Sequence, residues 1–320
     1  MKNSWKQALF AIFMGLVVPW CVVMLATPDA PQEEITTQTT AQVQETAPST
    51  DVLINVLLDG EMKEMRLDDY LVGVLLGELP GDFHLEAKMA QAVVARTYTM
   101  RTVRRKDKHP NDAVCSDSSC CQSYIAPGDY LARGGSVETV DSAMQAVGQT
   151  EGMVLTYAGE LIDATYFSCS GGTTETALAV WGSDVPYLQS VSSPGEEMAA
   201  HYTDTVKFTA KEFQVLLGVE LNGDPATWFG NIVYTDGEGV ASMTVGGKEY
   251  SGTELRSVLG LRSTAFTITA VGNSIVITTK GFGHRVGMSQ YGAQAMALAG
   301  SDYEQILLHY YSGAVLEQMQ

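Results

Sequence analysis

Residues 73–80 read GVLLGELP, an apolar run that ends in one carboxylate, Glu78, and is stopped by Pro80. On a helix of 3.6 residues per turn, Leu71, Val74, Leu75 and Glu78 share a face. Glu78 therefore falls on or beside the stripe that packs inward. It also falls in the last turn, at the negative end of the helix dipole. Desolvation raises a carboxyl pKa, and the dipole end pushes the same way. A carboxyl held partly protonated near neutral pH is what a general acid needs. The same residue can also be an exposed Glu at a frayed helix end, and helical geometry alone does not separate the two. Two more carboxylates lie nearby. Glu86 opens the next helical stretch, where an acid suits the dipole. If Glu86 or Asp82 were a partner base, the pair would carry out hydrolysis.

A second chemical group fills HPNDAVCSDSSCCQSY, 109–124. His109, Cys115, Cys120 and Cys121 offer four soft ligands within 13 residues, which suits tetrahedral Zn2+. The rival is a disulfide, Cys115 with Cys121, in an oxidising compartment. Zinc here reads as structural, holding the loop near Glu78. Cys169 reads as a small buried residue. Further along, Ser168, Ser170, Gly171 and Gly172 can offer hydroxyls and close backbone approach to a sugar, or form an ordinary turn. Trp181 can stack on a pyranose ring or anchor the fold. His284 follows Gly-x-Gly. Ser289, Gln290 and Tyr291 fall at a helix start, where they can line a groove or cap and pack. Gln91 and Arg96, on the helix behind Glu78, can hold its loop by hydrogen bonds.

These residues need an α+β frame. Residues 52–67 read as a hairpin around Asp59-Gly60. Asp68 or Asp69 can cap a helix that Pro80 ends. A longer helix follows over about 84–105, and a second hairpin turns at Ala158-Gly159. From about 197 to 277 the texture changes: short helices in KEFQVLL and GTELRSVLG, and alternating strands in NIVYTD, VASMTV, AFTITAV and SIVITTK. The expected architecture is a discontinuous domain of residues 51–196 plus 278–320, with a smaller α+β insertion, 197–277.

The chain has 320 residues, 45% of them apolar, and a net charge of -18. That charge excludes a nucleic-acid partner, which is gripped by Lys and Arg on phosphates. It also excludes a polybasic hold on anionic lipid. Residues 8–26 carry no charge and follow Lys2 and Lys6, so they read as a retained membrane anchor with residues 1–7 in the cytoplasm. A cleaved signal peptide is the alternative. Residues 27–50 are poor in large apolar side chains and read as a disordered linker. The folded part is then expected outside the cytoplasm.

Four stretches together resemble a known family. They are YLVGVLLGELPGDFHLEAKMAQAVVARTY (70–98), CSDSSCCQSY (115–124), FSCSGGTTETALAVWGSDVPYLQSV (167–191) with SGTELRSVLGLRST (251–264), and GFGHRVGMSQYGAQAMALAG (281–300). In this order they resemble the motifs of the stage II sporulation protein D family, membrane-anchored lytic transglycosylases of endospore formers whose relatives include amidase enhancers. The resemblance implies that Glu78 is the catalytic acid/base and that the substrate is peptidoglycan. It implies cleavage of MurNAc–GlcNAc bonds on peptide-stripped glycan strands, with 1,6-anhydroMurNAc formation, during sporulation engulfment. It further implies a place in the mother-cell membrane facing the forespore, with the stage II sporulation protein P amidase and stage II sporulation protein M as partners. A non-enzymatic activator of a cell-wall amidase and a tethered wall-binding domain are the alternatives. The chain departs from the family pattern twice. Cys120 stands where His is usual, and Arg285 where Gly is usual, so that a side chain is expected to narrow or recharge the cleft.

Overall fold

The computed structural model describes residues 52–106 and 108–319. The expected anchor, 8–26, and linker, 27–50, lie outside the described residues. Among the described residues no helix is long and apolar enough to cross a membrane.

The chain opens as the expected hairpin, β1 (Leu53–Leu58) and β2 (Glu61–Arg66), antiparallel with Leu58 opposite Glu61. Asp59 and Gly60 both take positive φ, 49° and 85°, as a two-residue turn matched to strand twist requires. Helix α1 (Leu67–Glu78) follows directly. Its N-cap is Arg66, with no side-chain cap; Asp68 and Asp69 lie in the first turn instead of capping it. Leu67 and Tyr70 to Leu76 are buried, so beyond its first turn α1 is enclosed on every side. Leu79, ahead of Pro80, is extended and ends the helix.

Helix α2 (Leu85–Arg105) is the central column, buried from Ala87 to Thr97. Strand β3 (Val114–Cys115) pairs in parallel with β1 and seats Cys115 beside Leu57. Short helix α3 (Pro127–Ala132) and helix α4 (Val137–Gln149) complete the helical layer. Arg96 in α2 is buried and donates to the carbonyls of Val147 (3.2 Å), Thr150 (2.7 Å) and Met153 (3.3 Å). It closes the C-terminal end of α4 and does not reach the Glu78 loop. Gln91 is buried with neither amide atom partnered, so it holds no loop either.

Strands β4 (Met153–Tyr157) and β5 (Glu160–Leu161) form the second expected hairpin, with Ala158 and Gly159 at positive φ. Then come β6 (Tyr166–Phe167) and the five-residue helix α5 (Ala177–Trp181). Strand β7 (Thr203–Thr209) leads into α6 (Ala210–Leu217), whose Thr209 and Glu212 form a reciprocal capping box. Strands β8 (Phe229–Tyr234), β9 (Val240–Val245) and β10 (Lys248–Ser251) form one sheet in order β10-β9-β8. Helix α7 (Gly252–Val258) precedes β11 (Phe266–Val271) and β12 (Ser274–Lys280), which join β7 in the order β11-β12-β7. Strand β13 (Met288–Ser289) pairs in parallel with β6 and runs into α8 (Gln290–Leu298). Helix α9 (Tyr303–Tyr310) and β14 (Val315–Gln318), which pairs with β4, end the chain.

The fold is thus mixed α+β, with two apolar cores. One draws on residues between Ile54 and Leu188 and between Val286 and Ala314. The other draws on residues between Ala210 and Ile277, around Phe213, Trp228, Met243 and Leu255.

Candidate active site

Glu78 ends α1 on the wall of a cavity of about 570 Å3. Ser168, His284 and Gln290 share that wall, and so do Cys120 and Cys121. The turn after α1, the loop after β6, the loop after β12 and the start of α8 therefore meet at one place. Among the described residues, Glu78 is the one carboxylate on this wall. Asp82 is exposed and off it. Glu86 accepts the backbone N–H of Tyr303 at 2.8 Å, at the N-terminus of α9. It also lies in the first turn of α2, the helix start that its position suggested.

The approach to Glu78 depends on two glycines. Gly73 and Gly77 lie one turn apart on α1, and the segment 123–125 crosses them. A Cβ at Gly73 would lie 2.1 Å from the Tyr124 ring, and one at Gly77 would lie 2.8 Å from the Ser123 backbone carbon. Ile125 N–H donates to the Gly73 carbonyl at 3.0 Å. This close crossing aims the Ser123 N–H at Glu78 Oε1, 2.6 Å away. Gln290 Nε2 donates to Oε2 over a longer 3.4 Å. The Tyr166 hydroxyl also bonds the carboxylate, and lies 3.3 Å from Gln122 Oε1. Burial raises the Glu78 carboxyl above the ordinary range, while these hydrogen bonds pull it part of the way back. Burial, and then the charge of Glu78, keep the Tyr166 phenol protonated.

His284 is half-buried, its ring 5.5 Å from Phe167 and 5.2 Å from Trp181. Its Nδ1 accepts the Val286 N–H at 3.1 Å, which leaves the proton on Nε2. Burial, and secondly the charge of Arg256, lower its pKa to about 4, so the ring is neutral at ordinary pH. Trp181 itself is 47% exposed, with a face open to solvent.

The remaining predicted residues separate. Ser170, Gly171 and Ser289 do not line the cavity. They surround Glu196, which is buried. Its Oε2 accepts Ser170 N–H, Ser170 Oγ–H and Gly171 N–H, each at 2.8 Å. Its Oε1 accepts Ser193 Oγ–H at 2.7 Å, and Ser289 Oγ–H. Gly172 donates to Ser170 Oγ at 3.0 Å, which completes that turn. Ser289 is the N-cap of α8. Tyr291 packs edge-on against Phe83 and donates its backbone N–H to the Ser168 carbonyl at 3.0 Å.

Arg285 neither narrows nor recharges the cleft. It is 1% exposed, at a positive φ of 69° that glycine adopts without strain. Its guanidinium pairs with buried Glu175 at 3.1 Å and donates to the carbonyls of Ser170 (2.6 Å), Thr173 (2.8 Å) and Gly237. Glu175 in turn accepts Thr235 Oγ–H (2.7 Å) and Gly239 N–H (3.1 Å). The pair ties the Ser-Gly-Gly loop to the β8–β9 turn.

The donor atoms of His109, Cys115, Cys120 and Cys121 lie within 4.8 Å of one another. His109 Nε2 is 3.3 Å from Cys120 Sγ and 3.4 Å from Cys121 Sγ. Cys115, Cys120, Cys121 and Cys169 are free thiols. Burial pushes the Cys121 thiol up to about 12.

The family described as Stage II sporulation protein matches residues 59–157. Stage II sporulation protein D of Bacillus subtilis is 36% identical over 300 residues, 92% of this chain and 87% of that protein. The chain belongs to the stage II sporulation protein D family. The member from Bacillus amyloliquefaciens is 39% identical over 80% of this chain and 76% of its own length. The amidase enhancer of Bacillus subtilis is 30% identical over 77% of this chain and 40% of that protein. The stretch that matches the family, 59–157, carries Glu78, Ser123 and all four clustered His and Cys residues.

Sequence reasoning missed Ser123, Gln122, Tyr166, Glu175 and Glu196. The Gly73/Gly77 spacing was a usable signal for the first two, since paired glycines on a buried helix imply a close neighbour. Nothing in the SSPGEEM run around Glu196 marks it as a buried hub.

Proposed function

We propose that this stage II sporulation protein D family member is a peptidoglycan lytic transglycosylase. It cleaves MurNAc–GlcNAc bonds of peptide-stripped strands during engulfment. The observation that carries this reading is a single carboxyl on the cavity wall, whose pKa burial pushes upward, the direction a proton donor needs. Glycosidases that use water or an enzyme nucleophile need two carboxyl groups. One suffices when the sugar supplies its own nucleophile. Protonated Glu78 gives its proton to the glycosidic oxygen as the C1–O bond breaks. The resulting carboxylate takes the proton of the C6 hydroxyl as that oxygen attacks C1 and closes the 1,6-anhydro ring. Glu78 ends protonated, as it began. The Ser123 N–H and Tyr166 hydroxyl stabilise the carboxylate between the two transfers.

In the same reading His109, Cys115, Cys120 and Cys121 hold a zinc ion, a donor set that suits a tetrahedral structural site. Zinc there would cross-link the loop that delivers Ser123. Metal analysis of purified protein is expected to find one zinc per chain. A Cys115–Cys121 disulfide in peptide mapping would overturn the assignment. Residues 8–26 anchor the chain in the mother-cell membrane. Residues 51–196 with 278–320 form the catalytic domain, and 197–277 an insertion. The stage II sporulation protein P amidase and stage II sporulation protein M are the proposed partners.

The test uses full-length protein in detergent on purified strands lacking stem peptides, with Glu78→Gln beside it and products read by mass spectrometry. Anhydro-ended fragments that vanish in the variant are expected. Reducing-end products would mean hydrolysis with a second carboxylate. No products at all would favour the activator of a wall amidase, a reading that the likeness to the amidase enhancer supports.

A further inference from the structure

Three groups donate to Glu78, and one of them can turn away. The Ser123 N–H is held by the backbone, and Gln290 donates through a planar amide. The third donor is the Tyr166 hydroxyl, a single proton on a rotor. A second acceptor lies within its reach, Gln122 Oε1 at 3.3 Å. One proton makes one good hydrogen bond, so it serves Glu78 or Gln122.

Gln122 is fixed in that place. It is fully buried, and a buried amide costs free energy unless its groups are bonded. Its Nε2 donates to Thr99 Oγ1 at 2.9 Å and to the Tyr70 hydroxyl at 3.4 Å, and both partners are buried too. Both N–H groups are thus committed, and the carbonyl is left facing Tyr166, its one donor among the described residues. The other titratable groups on the cavity wall are Tyr98, Cys120, Cys121 and His284. His284 is neutral at ordinary pH, and Lys108 reaches the edge through the Tyr98 hydroxyl at 2.7 Å. None of these bonds Glu78, so the hydroxyl of Tyr166 is the mobile part of its surroundings.

We propose that Gln122 is a positioning residue for Glu78: its carbonyl takes the Tyr166 proton when the carboxyl is protonated and releases it when the carboxyl is ionised. A carboxylate draws the stronger, charge-assisted bond, so ionised Glu78 wins the hydroxyl. A protonated carboxyl has an O–H of its own to place. It donates to the Tyr166 oxygen, and Tyr166 donates to Gln122. Each charge state then has its own complete set of bonds. The turn exchanges one hydrogen bond for another and leaves the proton on Tyr166. Its use in catalysis rests on the reading of Glu78 as the acid. The hydroxyl swings in as Glu78 gives its proton to the glycosidic oxygen, and swings back as the C6 proton arrives. Neighbouring residues of one segment therefore act on Glu78 in opposite senses. Ser123 favours the carboxylate, and Gln122, through Tyr166, favours the acid.

The test follows the charge of Glu78 itself, so it does not depend on turnover. Full-length protein in detergent, with carbon-13 at its glutamate carboxyls, is titrated by NMR, and Glu78 is assigned by the resonance lost in Glu78→Gln. Gln122→Met removes the acceptor that supports the protonated form. The Glu78 midpoint is expected to fall by about 0.5 to 1 pH unit, the scale of one neutral hydrogen bond. Tyr166→Phe removes the charge-assisted donor and is expected to raise the midpoint. Adding Gln122→Met to Tyr166→Phe should then change nothing further, because the two residues act as a unit. A merely structural Gln122 gives the opposite sign, since a loosened segment withdraws the Ser123 N–H and the midpoint rises. If Gln122→Met fails to fold, Thr99→Val, which frees the amide but leaves it in place, is expected to lower the midpoint in its stead. A midpoint unmoved or raised in whichever of these two folds, or a fall that persists without the Tyr166 hydroxyl, overturns the proposal. The expected shifts in a protein whose wild type releases no anhydro ends would leave the role of Gln122 standing and sink the transglycosylase.

Discussion

Glu78 and Glu196 are both carboxylates drawn out of bulk water, and their surroundings give them different work. Glu196, 1% exposed, accepts five hydrogen bonds, two from backbone N–H groups and three from serine hydroxyls. Its oxygens are fully occupied, and it ties the Ser-Gly-Gly turn to the N-cap of α8. Glu78 has one short bond, from Ser123, one from the Tyr166 hydroxyl and a weak one from Gln290, and it keeps a side open to the cavity. The number of donors decides whether a carboxylate out of water becomes a strut or an acid. A saturated one cannot take a proton without losing structure. An undersupplied one is already inclined to hold it. The two are linked, since Ser289 binds Glu196 and the next residue, Gln290, reaches Glu78.

The sharpest way to break this comparison is to neutralise each in turn. Glu78→Gln is expected to lower strand cleavage by about 10³-fold, the scale of a lost general acid. Folding should not suffer. A carboxyl whose folded-state pKa lies above its unfolded value binds more protons when folded, so its contribution to stability is full below the unfolded pKa and falls as pH rises through the folded pKa. At neutral pH the Gln variant should therefore melt no lower than wild type, and its advantage should vanish on acidification below about pH 4. A variant that melts clearly lower at pH 7 would show Glu78 to be a strut after all. Glu196→Ala should do the reverse. It strands five donors in a dry site and is expected to cost about 3 kcal/mol in denaturant unfolding. A melting point within a degree of wild type would show that water replaces the carboxylate there.

How much of this was legible depends on the range of each signal. The helix that delivers Glu78 and its stop at Pro80 are local, and both hairpins rest on turns of two residues, so the α+β frame and the Glu78 position could be read directly. The approach of His109 to three cysteines was legible from spacing alone, because all four lie within 13 residues of one another. Partners far apart in sequence were not. Arg96 lies on the helix behind Glu78, yet its hydrogen bonds run to carbonyls more than 50 residues away, at the end of α4. Arg285 looked like a cleft residue because its neighbour His284 is one. Its positive φ turns the side chain inward to Glu175, 110 residues away. Ser170 and Ser289 carry hydroxyls suited to a sugar, and nothing local shows that Glu196 has claimed both.

The finest test of the comparison changes the donor count at Glu78 without touching the carboxyl. Gly77→Ala would place a methyl group 2.8 Å from the Ser123 backbone carbon, so the crossing segment must move off α1. The Ser123 N–H bond to Glu78 then lengthens or breaks. That bond lowers the Glu78 pKa against the larger opposing effect of burial, so its loss should raise the pKa further. The alkaline limb of the kcat/KM profile, which reports protonated acid, should shift to higher pH, and the maximal rate should fall by about tenfold because the carboxylate formed in the first transfer is less stabilised. Gly148→Ala in α4 is the control, since a methyl group there meets open space. It should stabilise by about 0.5 kcal/mol and leave the pH profile unmoved. An alkaline limb that stays in place in Gly77→Ala would mean that Ser123 does not tune Glu78, and that the donor count does not explain why one carboxylate is an acid and the other a strut.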